Sequence, residues 1–163
     1  MIRLTEQPFD PGAELNGFCR DRLGVGAVAS FLGIARGEPG QASALELEAY
    51  PLFTQNEIAK IVASAVDRFG LHDVAVIHRI GAIPPGEAIV LVITASAHRR
   101  EAFEACDFLM DYLKSRAPFW KREFGPAGPR WVEPTAGDLA DIARWDRDAP
   151  RGGKTAGAAA TNE

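Results

Sequence analysis

Residues 88–123 read AIVLVITASAHRREAFEACDFLMDYLKSRAPFWKRE. The run Ala88 to Ala95 is apolar but for Thr94 and has the length of a strand buried on both faces. From about His98 to Ser115 the period changes. Ala102, Phe103, Cys106, Leu109, Met110 and Leu113 recur at helical spacing. Ala117-Pro118 then breaks the helix, and Phe119 to Phe124 reads as extended. A buried strand followed by an amphipathic helix and a second extended segment predicts strands and helices interleaved around one core.

Upstream, Val74 to Ile80 reads as another buried strand, joined to Ala88 by the turn Ile83-Pro84-Pro85-Gly86-Glu87. Ile58, Ile61, Val62, Ala65, Val66 and Phe69 form a helical stripe that Gly70 stops. Val25 to Leu32 suits a buried strand. Ser43 to Tyr50 alternates like a half-exposed one, and the glycine-rich stretch Gly33 to Gln41 between them is a loop. Asp10-Pro11 opens a short helix carrying Leu15, Phe18 and Cys19. Downstream, a short strand lies around Arg130 to Glu133, and Thr135 caps a last helix with Leu139, Ile142 and Trp145. The fold class is α+β or mixed α/β, in a single domain over 1–146. Residues 147–163 lack Leu, Ile, Val and Phe, so that tail is expected to stay disordered.

At 163 residues, 47% hydrophobic and 25% charged, the chain has the composition of an ordinary globular domain with enough length for one core. Its eight-residue apolar run falls far short of the about 20 needed to cross a membrane. The opening MIRLTEQPFD has no apolar leader segment. Cys19 and Cys106 lack C-x-x-C spacing and both fall on apolar helix faces, which predicts reduced core residues in a cytoplasmic protein. A net charge of −4 argues against a general nucleic-acid binder. The spacing of His, Cys and acidic residues suggests no metal site, and neither a Walker loop nor a G-x-G-x-x-G stretch is present.

Positive charge is nevertheless concentrated. Segments 98–100 and 114–122 together hold six Lys or Arg and no acid. His98 and Arg99 follow a strand and open a helix, where backbone N–H groups and the helix dipole favour an anion and a guanidinium fork suits phosphate. Lys114 borders the apolar stripe, and Lys121 lies among aromatics. In an extended strand Phe119, Lys121 and Glu123 share one face, with Trp120 and Arg122 on the other. Lysines beside other cations and apolar walls have a depressed pKa and can transfer protons or act as nucleophiles. The same residues read equally well as surface lysines lying over aromatic area. Arg36, at the start of the glycine-rich loop, could close over a ligand. These residues alone fit an enzyme for anionic substrates, a phosphate- or nucleotide-binding module using only Arg36, His98 and Arg99, or a dimeric scaffold without activity.

Five segments carry a more specific signal: Phe31-Leu32-Gly33-x-x-Arg36, Leu47-Glu48-Ala49-Tyr50-Pro51, Val76-Ile77-His78-Arg79-Ile80-Gly81, Ser96-Ala97-His98-Arg99, and Met110 to Glu123 (MDYLKSRAPFWKRE). In this order, from about Phe9 to Trp145, the chain resembles the large, catalytic subunits of molybdopterin synthases. The resemblance implies an α/β hammerhead fold and a sulfurtransferase that works without a metal or redox cofactor. The substrate it implies is cyclic pyranopterin monophosphate. Sulfur would arrive as a thiocarboxylate on the C-terminal glycine of a small ubiquitin-like subunit, and two sulfurs would form the dithiolene of molybdopterin. It further implies a heterotetramer with a homodimer of large subunits at its centre. Carried over by motif, Lys114 and Lys121 are the catalytic lysines, Arg36, His98 and Arg99 bind substrate, and Met110 and Arg116 line the pocket. Arg99 and Lys114 are 15 residues apart on one predicted helix, so their backbones lie about 22 Å apart. One small ligand bridges that gap most simply if a two-fold dimer brings opposite helix ends together.

Overall fold

The computed structural model describes residues 1–37, 45–125, 128–133 and 135–147. Among the described residues, eight strands and four helices occur in the order β1 (Ile2–Thr5), α1 (Pro11–Cys19), β2 (Ala27–Ile34), β3 (Leu45–Glu48), α2 (Pro51–Phe69), β4 (Asp73–Arg79), β5 (Gly81–Ile83), β6 (Ala88–Ser96), α3 (Arg99–Ser115), β7 (Trp120–Gly125), β8 (Gly128–Val132) and α4 (Ala136–Arg147). This is the mixed α+β class expected from the alternating periodicities. The tail expectation falls outside the described residues from 148 onward.

Two four-stranded sheets divide the work. The first has the order β1-β4-β6-β2, with β1 and β4 parallel and the other pairs antiparallel. The middles of its central strands are apolar because both faces are covered. Val74, Val76, Val90 and Val92 face α2 and α3, packing with Ile58, Ala65, Ala105, Phe108 and Leu109, and Trp145 of α4 closes that cluster. Ala75, Ile77, Leu91, Ile93 and Ala95 form the opposite face with Phe18 of α1. The second sheet has the order β5-β3-β7-β8 and is antiparallel. Its core is small: Ala35, Leu47 and Ile83, with Leu45, Ile89 and Phe119 packed against it.

Helix ends follow their local chemistry. Asp10 caps α1 by accepting from the Gly12 and Ala13 amides at 2.8 and 3.1 Å. Gly70 ends α2 in the left-handed region at φ 61°, and its N–H and that of Leu71 both reach the Val66 carbonyl. Thr135 and Asp138 form a reciprocal cap on α4. Helix α4 is then pinned to α3 by Asp111, whose carboxylate accepts from Arg144 (2.6 and 3.1 Å) and from the Trp145 indole (2.7 Å). A carboxylate this buried requires such partners.

Several expectations shift. Strand β2 runs two residues later than Val25–Leu32, and α2 begins at Pro51, a full turn and more before its first stripe residue Ile58. Strands β1 and β5 carry too few residues to show a period. Cys106 is buried as expected, but Cys19 is exposed: it is the last residue of a helix that buries Phe18 alone.

Candidate active site

Helix α3 runs back along the first sheet, which separates the candidate residues into two groups. His98 is the N-cap of α3, and Arg99 its first residue. Both are exposed, and the imidazole makes no capping bond. Arg100 points away, 80% exposed and 3.6 Å from Glu104. The helix also carries Glu101 in its first turn, an acid just outside the basic triplet that complements the dipole.

At the other end of α3, Lys114 lies in the last turn and is exposed, beside the buried Leu113. Arg116 is the C-cap residue and exposed, its N–H donating to the Tyr112 carbonyl. Met110 is buried in the main core, so only a packed wall of the site can use it. Lys121 stands on β7, opposite Leu47 of β3 and Val132 of β8. The charges of both lysines are felt at α4. Hydrogen bonds from the Thr135 hydroxyl and amide hold the Asp138 carboxyl below its ordinary range, and the charges of Lys114 and Lys121 lower it further. Asp138 also ties α4 to α3 through its carbonyl, which accepts from the Ser115 hydroxyl at 3.1 Å. Sequence reading missed Asp138. The signal was present as Thr135-x-x-Asp138, but nothing local shows which residues that helix end will approach.

Acids join the cations and apolar walls expected around Lys121. The Lys121 ammonium pairs with Glu123 at 2.7 Å, in keeping with the shared strand face, and this hydrogen bond holds the Glu123 carboxyl low. Arg122, on the other face, is taken up by Glu46 (2.6 Å) and Glu48 (2.9 Å) of the neighbouring strand. The acids come from a strand distant in sequence, so a local count of charges could not find them.

Arg36 joins the lysine end. Ala35 is pinned to the β5–β6 turn, its amide donating to the Glu87 carbonyl (2.9 Å) and its carbonyl accepting from the Gly86 amide (2.8 Å). Gly37 lies so close to Pro85 that an added Cβ would sit 2.5 Å from the proline Cβ. Arg36, exposed, is thus held between two fixed residues. Ala35 and Phe119 pack in the same small core, so the Arg36 loop and the segment leading into Lys121 share one support. The register of the first sheet places Ala27 beside Ser96 and Ile34 beside Ala88. Arg36 therefore follows the end of β2 remote from His98 and Arg99, with eight strand steps, about 26 Å, between Ala88 and Ser96. Within one chain, Arg36, Lys114, Arg116 and Lys121 gather at one end and His98 and Arg99 at the other.

Comparison with known proteins identifies the family. The family described as "MoaE protein" matches residues 4–116. A "Molybdopterin synthase catalytic subunit" from Caulobacter vibrioides is 63% identical over 149 residues, covering 91% of this chain and 99% of that protein. The solved structure of a "Molybdopterin biosynthesis MoaE protein" from Burkholderia ambifaria superposes with a TM-score of 0.77 at 42% identity, covering 90% of this chain and 97% of that one. A "Protein-protein complex of subunit 1 and 2 of Molybdopterin-converting factor" from Helicobacter pylori contains a chain of the same fold, with a TM-score of 0.68 at 21% identity over 80% of this chain and 89% of that one. With the family match spanning more than half of its length and a relative this similar along nearly all of it, the chain belongs to the MoaE family, the catalytic subunits of molybdopterin synthase.

Proposed function

We propose that this chain catalyses sulfur transfer from the C-terminal thiocarboxylate of a small partner subunit to cyclic pyranopterin monophosphate, with Lys114 and Lys121 as the catalytic pair. The observation that carries this reading is that Lys114 and Lys121 come to the same end of the fold as the Arg36 loop, with both charges acting on Asp138 of α4. Both reactants are anionic, and bringing them together requires fixed positive charge aimed at the reacting atoms. Arg36 and Arg116 add guanidinium groups at that end. Opening the cyclic phosphate and losing water at each sulfur addition need proton transfers, for which an ammonium close to the ligand is suited. A module that only bound phosphate would use Arg36, His98 and Arg99, and would have no need of the lysine pair.

The partner reading draws support from apolar surface around Trp120, the neighbour of Lys121 on β7. Tyr50, Leu52, Phe53, Trp120 and Trp131 are exposed, and Tyr50 and Trp120 meet edge-to-face at 5.5 Å. Aromatic residues of this kind are enriched where partners dock. A homodimer at the centre of a heterotetramer is supported by β2, an edge strand that exposes Val28, Phe31, Leu32 and Ile34. Pairing of two copies would also supply His98 and Arg99 of one chain to the lysine end of the other, so that one site draws on both. Two free cysteines are in keeping with action in the cytoplasm.

The test is turnover. Purified chain, thiocarboxylated small subunit and cyclic pyranopterin monophosphate should yield the dithiolene product, and a small subunit with an ordinary C-terminal carboxylate should not. Binding of the pterin without any dithiolene formation would leave the phosphate-binding module as the better reading.

A further inference from the structure

Lys114 and Lys121 are joined by six residues, Ser115 to Trp120, and the relative position of their ammonium groups depends on how that linker is held. Its own backbone accounts for part of this. The amides of Arg116 and Ala117 both donate to the Tyr112 carbonyl, at 2.7 and 3.2 Å, and the Phe119 amide donates to the Ala117 carbonyl at 2.8 Å. Pro118 fixes its own φ and restricts Ala117. Two residues far away in sequence provide the rest. Thr54 of α2 is fully buried and donates its hydroxyl to the Pro118 carbonyl at 3.2 Å. His78, near the end of β4, stacks on the Phe119 ring with centroids 4.0 Å apart and planes 16° from parallel.

Each of these two side chains is chemically unusual for its place. Thr54 lies on the buried face of α2 with Ile58 and Ala65, where an aliphatic residue would pack as well. A hydroxyl there would be costly without a partner, and the Pro118 carbonyl is the partner it has. His78 is 7% exposed near the end of a strand whose residues between Asp73 and Arg79 are otherwise apolar. The Arg79 carbonyl, 2.7 Å from Nδ1, can only accept, so Nδ1 carries the proton and the ring plane is fixed. Burial lowers the His78 pKa to about 4, so the ring stays neutral near pH 7. A neutral imidazole locked by its own strand gives Phe119 a rigid surface to rest on.

We infer that Thr54 and His78 are positioning residues for the lysine pair, clipping the 115–120 linker from two sides so that Lys114 and Lys121 keep a fixed separation. This inference rests on the catalytic reading of the two lysines. Neither clip residue needs to touch substrate, so loss of either should act on turnover more than on binding.

The experiment uses the full chain with its thiocarboxylated partner and compares Thr54→Val, Thr54→Ser, His78→Leu and the wild type. Thr54→Val and His78→Leu should each lower kcat about tenfold with KM for the pterin within about twofold, and Thr54→Ser should restore wild-type turnover. A second readout does not depend on activity. The chain has four lysines, Lys60, Lys114, Lys121 and Lys154. Reductive methylation with ¹³C-formaldehyde gives each an NMR signal. In Thr54→Val the Lys114 and Lys121 signals should shift or broaden, while those of Lys60 and Lys154 stay in place. Wild-type kcat and unchanged Lys114 and Lys121 signals in Thr54→Val would overturn the inference, as would a Thr54→Ser variant as impaired as Thr54→Val. If His78→Leu fails to fold, the Thr54 pair decides alone. If the wild type forms no dithiolene product, the catalytic reading fails, and the lysine signals still report whether the clip exists.

Discussion

The two sheets are built on different physical terms. The first is buried on both faces, and its central strands place Val76, Ile77, Val92 and Ile93 at zero exposure. The second rests on a few apolar residues and a lattice of ion pairs: Arg122 with Glu46 and Glu48, Lys121 with Glu123, and Arg130 with Glu123. Hydrophobic burial gives the first sheet its stability. Partly exposed ion pairs contribute little to stability, but they fix which strand lies beside which and which way each cation points. Lys121 is carried by the second sheet, and Lys114 by the end of a helix anchored on the first. The proposed catalytic pair therefore straddles the junction between a rigid scaffold and a lightly held one.

The largest effect expected is on chemistry. Lys114→Ala should reduce product formation by at least about 100-fold while thermal unfolding shifts by no more than about 2 °C, because an exposed side chain contributes little packing. Lys121→Ala should also cut activity strongly. A large fall in Tm, with the remaining folded protein turning over normally, would make Lys114 part of the scaffold.

Mixed dimers sharpen the division between the two ends of the first sheet. Arg99→Ala and Lys114→Ala chains, each weak alone, should on co-expression recover about a quarter of wild-type activity. Random assortment makes about half of the dimers mixed, and each mixed dimer has one undamaged site of two. Activity equal to the parents' average, with mixed dimers verified by mass spectrometry, would mean that no site combines Lys114 and Arg99 from different chains.

Stability should follow the sheets. Ile93→Ala, in the first sheet, should cost about 2–5 kcal/mol by cavity formation. Arg122→Ala, in the second, should cost about 1 kcal/mol or less. Urea titrations of both variants measure the contrast, and equal losses would show that the second sheet is as integral to the core as the first.

The acid limb of stability gives a further contrast. His78 is held neutral in the folded state, with a pKa lowered from 6.5 to about 4, so the unfolded chain binds the extra proton first. Stability should fall as pH drops from about 6.5 towards 4, with an upper bound of about 3 kcal/mol from this group. His78→Phe should flatten that part of the profile. Glu123 acts lower on the scale: its depressed carboxyl keeps its stabilising charge until pH falls below the usual glutamate range. Glu123→Gln should remove only that more acidic and smaller component.

Much of the first sheet is legible in the chain because burial on both faces leaves a strong local mark. Ala88 to Ser96 and Asp73 to Arg79 are apolar runs, and the α3 stripe from Ala102 to Leu113 is nearly unbroken. The second sheet is harder to read. Its strands are short, its β5 has three residues, and β7 carries charges whose partners lie about 75 residues earlier. Arg36, His98, Arg99, Met110, Lys114, Arg116 and Lys121 were legible as candidates through the motifs around them. Their division into two ends was not, because it depends on the antiparallel return of α3 along β6 and on the β2–β6 register.

By itself, the sequence determined the fold class, the buried strands, the amphipathic helices and the concentration of positive charge at 98–100 and 114–122. These are properties of neighbouring residues, set by periodicity, turn chemistry and composition over short windows. Only the tertiary structure decided that the charges of both lysines act on Asp138, that Glu46 and Glu48 neutralise Arg122, and that Thr54 and His78 contact the linker between the lysines. Such pairings join residues 17 to 76 positions apart, and the physical forces behind them act only once chain folding has closed those loops.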